Sequence, residues 1–376
     1  MTGAALRNGA AALGAAVLLT LAGCGKNEVL GGGESDIPMV FSAYNAATKA
    51  DASYVGPGTT TLPANSSFGV FAFYQEGDVY NEIPAEWNSS RNPDFMFNQQ
   101  VTFDGTNYNY TPLRFWPSNI ENTISFWAYY PYGAYVTGNT GDLKFYKTDG
   151  ITAYTANSTT GLPVAQYTVK TDPSQQQDLM FETFTQKDKT YWNCDPTHGT
   201  VPLTFRHALS AITFTIQMPT GAGTEGTDYF FEFNNLQLNN VPTTGKCTDV
   251  SAATIAWSDQ SNPQNMSTTT YDSSAGRSDV FLLMPQTLPS TLTLDIDVLL
   301  KFPSADDPTN RAADLAYPFQ ISGVQMNTIE DASNNAITTW EAGKRYTYNI
   351  VLSLDKIEFS ATVAAWDAAI NVTITD

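Results

Sequence analysis

The sequence predicts an all-β protein of two domains, on three grounds. Strand-length segments alternate apolar and polar residues from Phe68 to the C-terminus. Gly, Asn, Asp and Pro punctuate them at short intervals, and no stretch repeats apolar residues at helical spacing. Short strands separated by turn residues argue for sandwiches or barrels rather than a parallel sheet covered by helices.

The chain begins with a leader. One charge, Arg7, precedes an apolar run from Ala10 to Gly23. That run is shorter than the ~20 residues a membrane-spanning helix needs, so residues 1–23 are expected to be a signal peptide. Leu21-Ala22-Gly23-Cys24 has the form of a bacterial lipobox. Small residues fit the peptidase, and the Cys24 thiol takes a diacylglycerol before cleavage; the alternative is an ordinary signal peptide with an incidental cysteine. A lipid on Cys24 anchors the chain to a membrane it does not cross. Residues 24–36, with Gly31-Gly32-Gly33, read as a flexible tether.

Ile37-Pro-Met-Val-Phe-Ser-Ala43 then reads as a buried first strand, with Pro38 suited to its start or to an edge. Phe68–Tyr74 is expected to send Phe71 and Phe73 to one face and Val70, Ala72 and Tyr74 to the other. Phe95–Phe97, Val101–Phe103, Tyr108–Tyr110 and Ile124–Tyr130 continue the pattern, and Asp178–Phe181 closes the first domain, 37–190. A polar stretch, Lys187–Gly199, separates it from a second domain, 191–376. There Val201–Phe205, Ala211–Ile216, Phe231–Leu238, Val280–Met284, Leu292–Leu300, Tyr346–Leu352, Ile357–Val363 and Ile370–Ile374 alternate in turn. His207–Ser210 reads as a single helical turn.

Composition excludes several functions. The formal net charge is −19, and no Lys/Arg cluster interrupts the acidity, so nucleic acid is excluded as a partner. With Cys24 assigned to lipid, Cys194 and Cys247 either form one disulfide in an oxidising compartment or remain two buried thiols. They lack zinc-site spacing, and neither a metal nor another cofactor is expected. The two histidines, His198 and His207, belong to no hydrolase motif. Asp295 and Asp297 share one face of a strand; a glycosidase carboxylate pair is weighed against exposed sheet-surface acids, and the latter is preferred. The chain is therefore expected not to be an enzyme. The 7 Trp and 19 Tyr are expected mainly in cores, with sugar binding by loop aromatics such as Tyr129–Tyr135 as the alternative use.

Several phrases carry a family resemblance. Asp36-Ile-Pro-Met-Val-Phe-Ser-Ala43 with Thr48-Lys49-Ala50, Phe68-Gly-Val-Phe-Ala-Phe-Tyr74 and Tyr110-Thr-Pro-Leu-Arg-Phe-Trp-Pro117 come first. Ile124-Ser-Phe-Trp-Ala-Tyr-Tyr-Pro131, Asp178-Leu-Met, Leu203-Thr-Phe-Arg-His-Ala-Leu-Ser210 and Leu283-Met-Pro-Gln286 follow. Trp340-Glu-Ala-Gly-Lys-Arg-Tyr-Thr-Tyr348 and Val363-Ala-Ala-Trp366 end the set. In order and spacing these resemble the fimbrillin family of Bacteroidota.

The resemblance implies two transthyretin-like β-sandwich domains in tandem and a lipoprotein precursor of a type V pilus subunit, structural or adhesive. It implies a surface-exposed place in the outer membrane and the fimbrium, with other pilus subunits as partners and ligands on host or bacterial surfaces. A trypsin-like protease is implied to cut between Lys49 and Ala50, where many members have arginine. That cut removes the first strand with Ile37, Met39 and Phe41. A donor strand carrying Ile370, Val372 and Ile374 then fills the groove of another subunit by β-strand addition. Lys49 as a solvated loop residue, and the last strand as closure of its own domain, remain open; the latter would make the chain a tip, anchor or accessory subunit. The competing function is a non-pilus surface lipoprotein that binds glycans through exposed aromatics.

Overall fold

The structure, a computed structural model, describes residues 34–45, 60–75, 92–117, 122–156, 161–185, 200–217, 230–250, 255–272, 277–302, 315–352 and 357–366. Among the described residues the ordered elements are strands and three 3₁₀ turns, as the alternation predicts. No described helix is long and apolar enough to cross a membrane. The signal peptide, Cys24, Lys49, Ala50, Cys194, His198, Ile370, Val372 and Ile374 lie outside the described residues.

The chain opens with β1 (Glu34–Pro38) and β2 (Val40–Asn45), separated at Met39. The expected strand is thus longer than the apolar run and is broken in two, and strand structure begins at Glu34, inside the stretch read as tether. β1 pairs with β7 (Phe115–Pro117), outside the main sheet.

The first large sheet has eight strands. In spatial order they are β3 (Thr60–Thr61), β2, β12 (Thr200–His207), β11 (Met180–Thr185), β8 (Thr123–Tyr130), β4 (Ser67–Gln75), β5 (Met96–Phe103) and β6 (Tyr108–Asn109). It curls until β6, at one end of the order, reaches β2 near the other. The enclosed core contains Met39, Phe41, Phe68, Val70, Ala72, Ile124, Phe126, Val201, Leu203 and Phe205. β4 splits its side chains as expected, with Phe71 and Phe73 on the opposite face beside Trp127, Tyr129 and Phe181. Gly69 lies across from Tyr129 in the β4–β8 ladder, and a Cβ there would stand 2.2 Å from the Tyr129 ring. The glycine is the space into which the tyrosine folds.

That opposite face packs into the second layer. Its sheet runs β21 (Leu315–Gln325), β20 (Thr293–Phe302), β14 (Phe230–Val250), β10 (Val164–Thr168) and β9 (Leu143–Tyr146), with β15 (Ile255–Thr268) also pairing β14. The strand expected at Phe231–Leu238 is only the first part of β14, and β14 and β15 run on through Pro242, Gly245 and Pro263. Pro242 follows an irregularity in register, between Leu238 and Val241, that contains Asn240 with a φ of 57°. Bulges let a strand absorb residues that a regular ladder rejects.

A third sheet runs β16 (Tyr271–Asp272), β17 (Arg277–Ser278), β13 (Ser210–Gln217), β23 (Lys344–Leu352) and β24 (Ile357–Ala365), with β18 (Phe281–Leu283) against β13. A two-residue ladder joins β19 (Gln286–Thr287) to β22 (Thr339–Trp340). The boundary expected at about 190 coincides with no sheet boundary. β12 lies beyond it yet completes the first sheet, and β9 and β10 precede it yet extend the sheet of β14. One apolar cluster runs from Phe71 and Trp127 through Leu236 and Ile296 to Trp340 and Trp366. The expected helical turn at His207–Ser210 is absent: the chain bends at Ala208–Leu209, both fully buried, and enters β13 directly. Apolar burial at this bend decides the backbone, since both strands continue the apolar alternation on either side.

Candidate functional site: the slot of the first strand

Of the sequence-predicted site residues, those of the first strand fall in the described part. Met39 and Ala43 are fully buried and Phe41 nearly so, whereas Val40 between them is 44% exposed. The alternation is that of a strand with one face in the core and one toward solvent. Phe41 is the centre of the slot. Its ring meets Phe68, Tyr110 and Phe126 edge-on at centroid distances of 6.1, 5.5 and 5.9 Å. Burying Met39 and Phe41 contributes roughly 1.5–3 kcal/mol each. Ile37 lies in β1, outside the slot proper.

The two edges of β2 are held differently. On one side it pairs in parallel with β12 over six residues, from Val40 opposite Thr200 to Asn45 opposite Phe205. On the other, β3 supplies two residue pairs, opposite Tyr44 and Asn45. The rest of that edge meets side chains and a single main-chain bond. The Tyr110 hydroxyl donates to the Met39 carbonyl at 2.8 Å, the Tyr108 hydroxyl donates to the Ala43 carbonyl at 2.5 Å, and the Met39 N–H donates to the Arg114 carbonyl at 2.8 Å. Burial pushes the Tyr110 hydroxyl up to about 12, so it keeps its proton and remains a donor at neutral pH.

Tyr108 and Tyr110 were read in the sequence only as strand residues. Their two-residue spacing puts both rings on one face, but nothing in the chain says that this face meets a strand more than sixty residues upstream.

Behind the slot, Glu182 on β11 stands 3.8 Å from the Arg206 guanidinium of β12. Burial raises its carboxyl to about 7, with the Arg206 charge pulling the other way.

The remaining candidates are each engaged by neighbouring residues. Asp295 and Asp297 share a face of β20 as expected, and each is engaged by its neighbours. Asp295 accepts from Asn239 at 2.9 Å and from the Gly323 N–H at 2.7 Å; Asp297 accepts from Gln320 at 2.8 Å. Neighbouring amides thus use these carboxylates as a cross-strand polar ladder. His207 is almost fully buried, its Nδ1 is 3.0 Å from Asp178, and its ring lies flat on Trp366 at 3.9 Å. This contact closes the joint between β12 and the end of β24. Cys247 is buried on β14. No group of three potential metal ligands is found among the described residues.

Trp116, Trp127, Trp340 and Trp366 are core residues, as is Tyr129 of the loop considered for sugar. Trp257 is half-buried and lines an open groove of about 890 Å3 with Gln260, Gln286 and Glu341. Its indole N–H is tied to the Ala208 carbonyl at 2.7 Å. Among the described tryptophans, this is the ring on which a glycan reading would rest.

Comparison with known proteins matches this architecture. A fimbrial subunit of Phocaeicola vulgatus, Fim1C, is 30% identical over 201 residues, 52% of this chain and 47% of its own length. The chain thus spans about half the length of the curated relative it matches. A crystal structure of a fimbrial protein from Bacteroides vulgatus aligns over 87% of this chain and 99% of its own, at 18% identity and a TM-score of 0.57, and so shares the fold. The model of the fimbrillin-like family matches residues 48–366. The chain, most of which lies within that match, belongs to the fimbrillin-like family.

Proposed function

We propose that this protein is a structural or adhesive subunit of a type V pilus, carried to the outer membrane by a lipid on Cys24 and assembled by β-strand addition. In this reading the protease cut at Lys49–Ala50 detaches β1 and β2 together with the lipid. Loss of β2 strips one ladder partner from β12 and uncovers Phe68, Phe126 and Val201, so refilling by another strand is strongly favoured. The segment with Ile370, Val372 and Ile374 is the donor, alternating in the manner of Met39, Phe41 and Ala43. Other pilus subunits are the partners, ligands on host or bacterial surfaces are the targets, and no catalytic step is involved.

The observation that carries this reading is the unequal edges of β2: six parallel pairs on one, and on the other two pairs with β3, one main-chain bond at Met39 and two tyrosine hydroxyls. Trypsin treatment of the purified precursor tests it. The expected products are a fragment ending at Lys49 and a core that grows into oligomers on size-exclusion chromatography. A core cut completely at Lys49 that stays monomeric overturns the proposal.

A further inference from the structure

We propose that Tyr108 and Tyr110 form a latch that grips whichever strand occupies the position of β2 by its main chain, and so sets how readily that strand leaves or enters. The inference rests on the reading that this strand exchanges, and it assigns the residues that govern the exchange.

A strand inside a sheet is normally held by a backbone ladder on each edge, with inter-strand bonds repeating along its length. Among the described residues, β2 pairs along its whole length with β12 and over only two residues with β3. Within a strand, the N–H and C=O of one residue point to the same edge. Met39 and Ala43, whose side chains enter the core, therefore turn their carbonyls toward the tyrosines. These carbonyls are four residues apart, about 13 Å along the strand. Each is met by a hydroxyl on its own side chain, at 2.8 Å for Tyr110 and 2.5 Å for Tyr108. Two such isolated bonds are fewer than a ladder of the same length would supply, so less has to break on this edge for the strand to leave.

The acceptor in each case is a main-chain oxygen, which every residue carries. The latch therefore imposes no sequence on the strand it holds. Selection by side chain falls to the slot, which takes a long side chain at Met39, a ring at Phe41 and a methyl at Ala43. The same two tyrosines wall that slot. Tyr110 meets Phe41 edge-on, and Tyr108 packs at 6.0 Å from Phe68 and is stacked on Phe103 at 4.6 Å. Each residue thus joins an apolar wall to a polar grip, and Tyr→Phe removes the grip while leaving the wall.

The test uses the full chain with a site-specific protease sequence placed at Lys49, so that it does not depend on natural processing. Wild type, Tyr108→Phe, Tyr110→Phe and the double variant are cut. Release of the N-terminal fragment is then followed by intact mass in the presence of excess labelled peptide spanning residues 37–45. Each single variant is expected to release the fragment about 2–10-fold faster, and the double variant faster still. A peptide with a thioamide at the Met39 carbonyl, a weaker acceptor, should bind wild type less well than the ordinary peptide. It should bind Tyr110→Phe equally well, a pattern that a purely packing role would not produce. Release and uptake unchanged in the double variant overturn the latch and leave strand exchange standing. Neither release nor uptake in any variant, wild type included, overturns strand exchange itself and the latch with it.

Discussion

β2 and β23 are built on the same plan. Each pairs in parallel with one of two consecutive strands, β2 with β12 over six residues and β23 with β13 over seven. Each sends alternate large side chains into a core: Phe41 from β2, with Met39 just before it, and Tyr346, Tyr348 and Ile350 from β23. They differ at the second edge. β23 is flanked there by β24 through nine further pairs, from Lys344 opposite Ala365 to Leu352 opposite Ile357. β2 has two pairs with β3, one bond from Met39 and two tyrosine hydroxyls. The two strands are thus alike in burial and unlike at the second edge, and under the proposed function that difference is what makes β2 replaceable and β23 fixed.

The sharpest test of that statement uses burial as a control. Phe41→Ala and Tyr348→Ala each remove a ring that is almost wholly enclosed, and each should destabilise the uncut chain by about 3–5 kcal/mol in urea unfolding. Similar losses would show that the two strands are equally anchored in their cores, leaving the edges to account for any difference in exchange. A loss below about 1 kcal/mol at Phe41 alone would break the comparison, because β2 would then be loosely held on its inner face as well.

A smaller, pH-dependent effect separates the neighbouring strands. β12, which carries β2, lies beside Glu182, whose carboxyl titrates at about 7 in the folded chain against an ordinary value of 4.5. The folded state thus holds that proton more tightly. The stabilisation is complete below about 4.5 and is lost as the pH rises through about 7. Allowing for the partly screened Arg206 contact, roughly 1–3 kcal/mol should disappear between those limits. Glu182→Gln should flatten that slope in urea titrations at pH 4.5 and 7.5. β13, which carries β23, is braced instead by neutral bonds, with the Phe214 N–H donating to the Ser278 hydroxyl at 3.1 Å. Identical pH profiles for wild type and Glu182→Gln would remove the distinction.

Much of this was legible in the chain. Alternation in Phe68–Tyr74 placed Phe71 and Phe73 opposite Val70 and Ala72, because a strand's period of two is set by its own backbone. The same rule found the inward face of β2. What alternation does not carry is which strand lies beside which. That β12, besides pairing with its sequence neighbour β11, pairs with the distant β2, and that Tyr108 and Tyr110 arrive at the other edge of β2, are long-range outcomes of how the sheet curls. The long β14–β15 ribbon was missed for a local reason, since bulges admit the Pro and Gly residues that ordinarily mark loops.

The smallest expected effect concerns the hydroxyls themselves. In the β23 half, the buried Tyr348 hydroxyl accepts from the Trp340 indole N–H at 2.8 Å, and Trp340 is fully enclosed. Tyr348→Phe strands that donor away from water, at a cost of about 1–3 kcal/mol. Tyr110→Phe removes a donor from the Met39 carbonyl and the acceptor of the Arg114 N–H at 3.3 Å, at a net cost of about 0.5–1.5 kcal/mol, because both bonds are only partly buried. The order should appear in urea midpoints measured on uncut chains, with Tyr348→Phe below Tyr110→Phe. An inverted order would mean that β2 is bound at its second edge as firmly as β23, and the contrast between a fixed strand and a replaceable one would fail at the bonds meant to explain it.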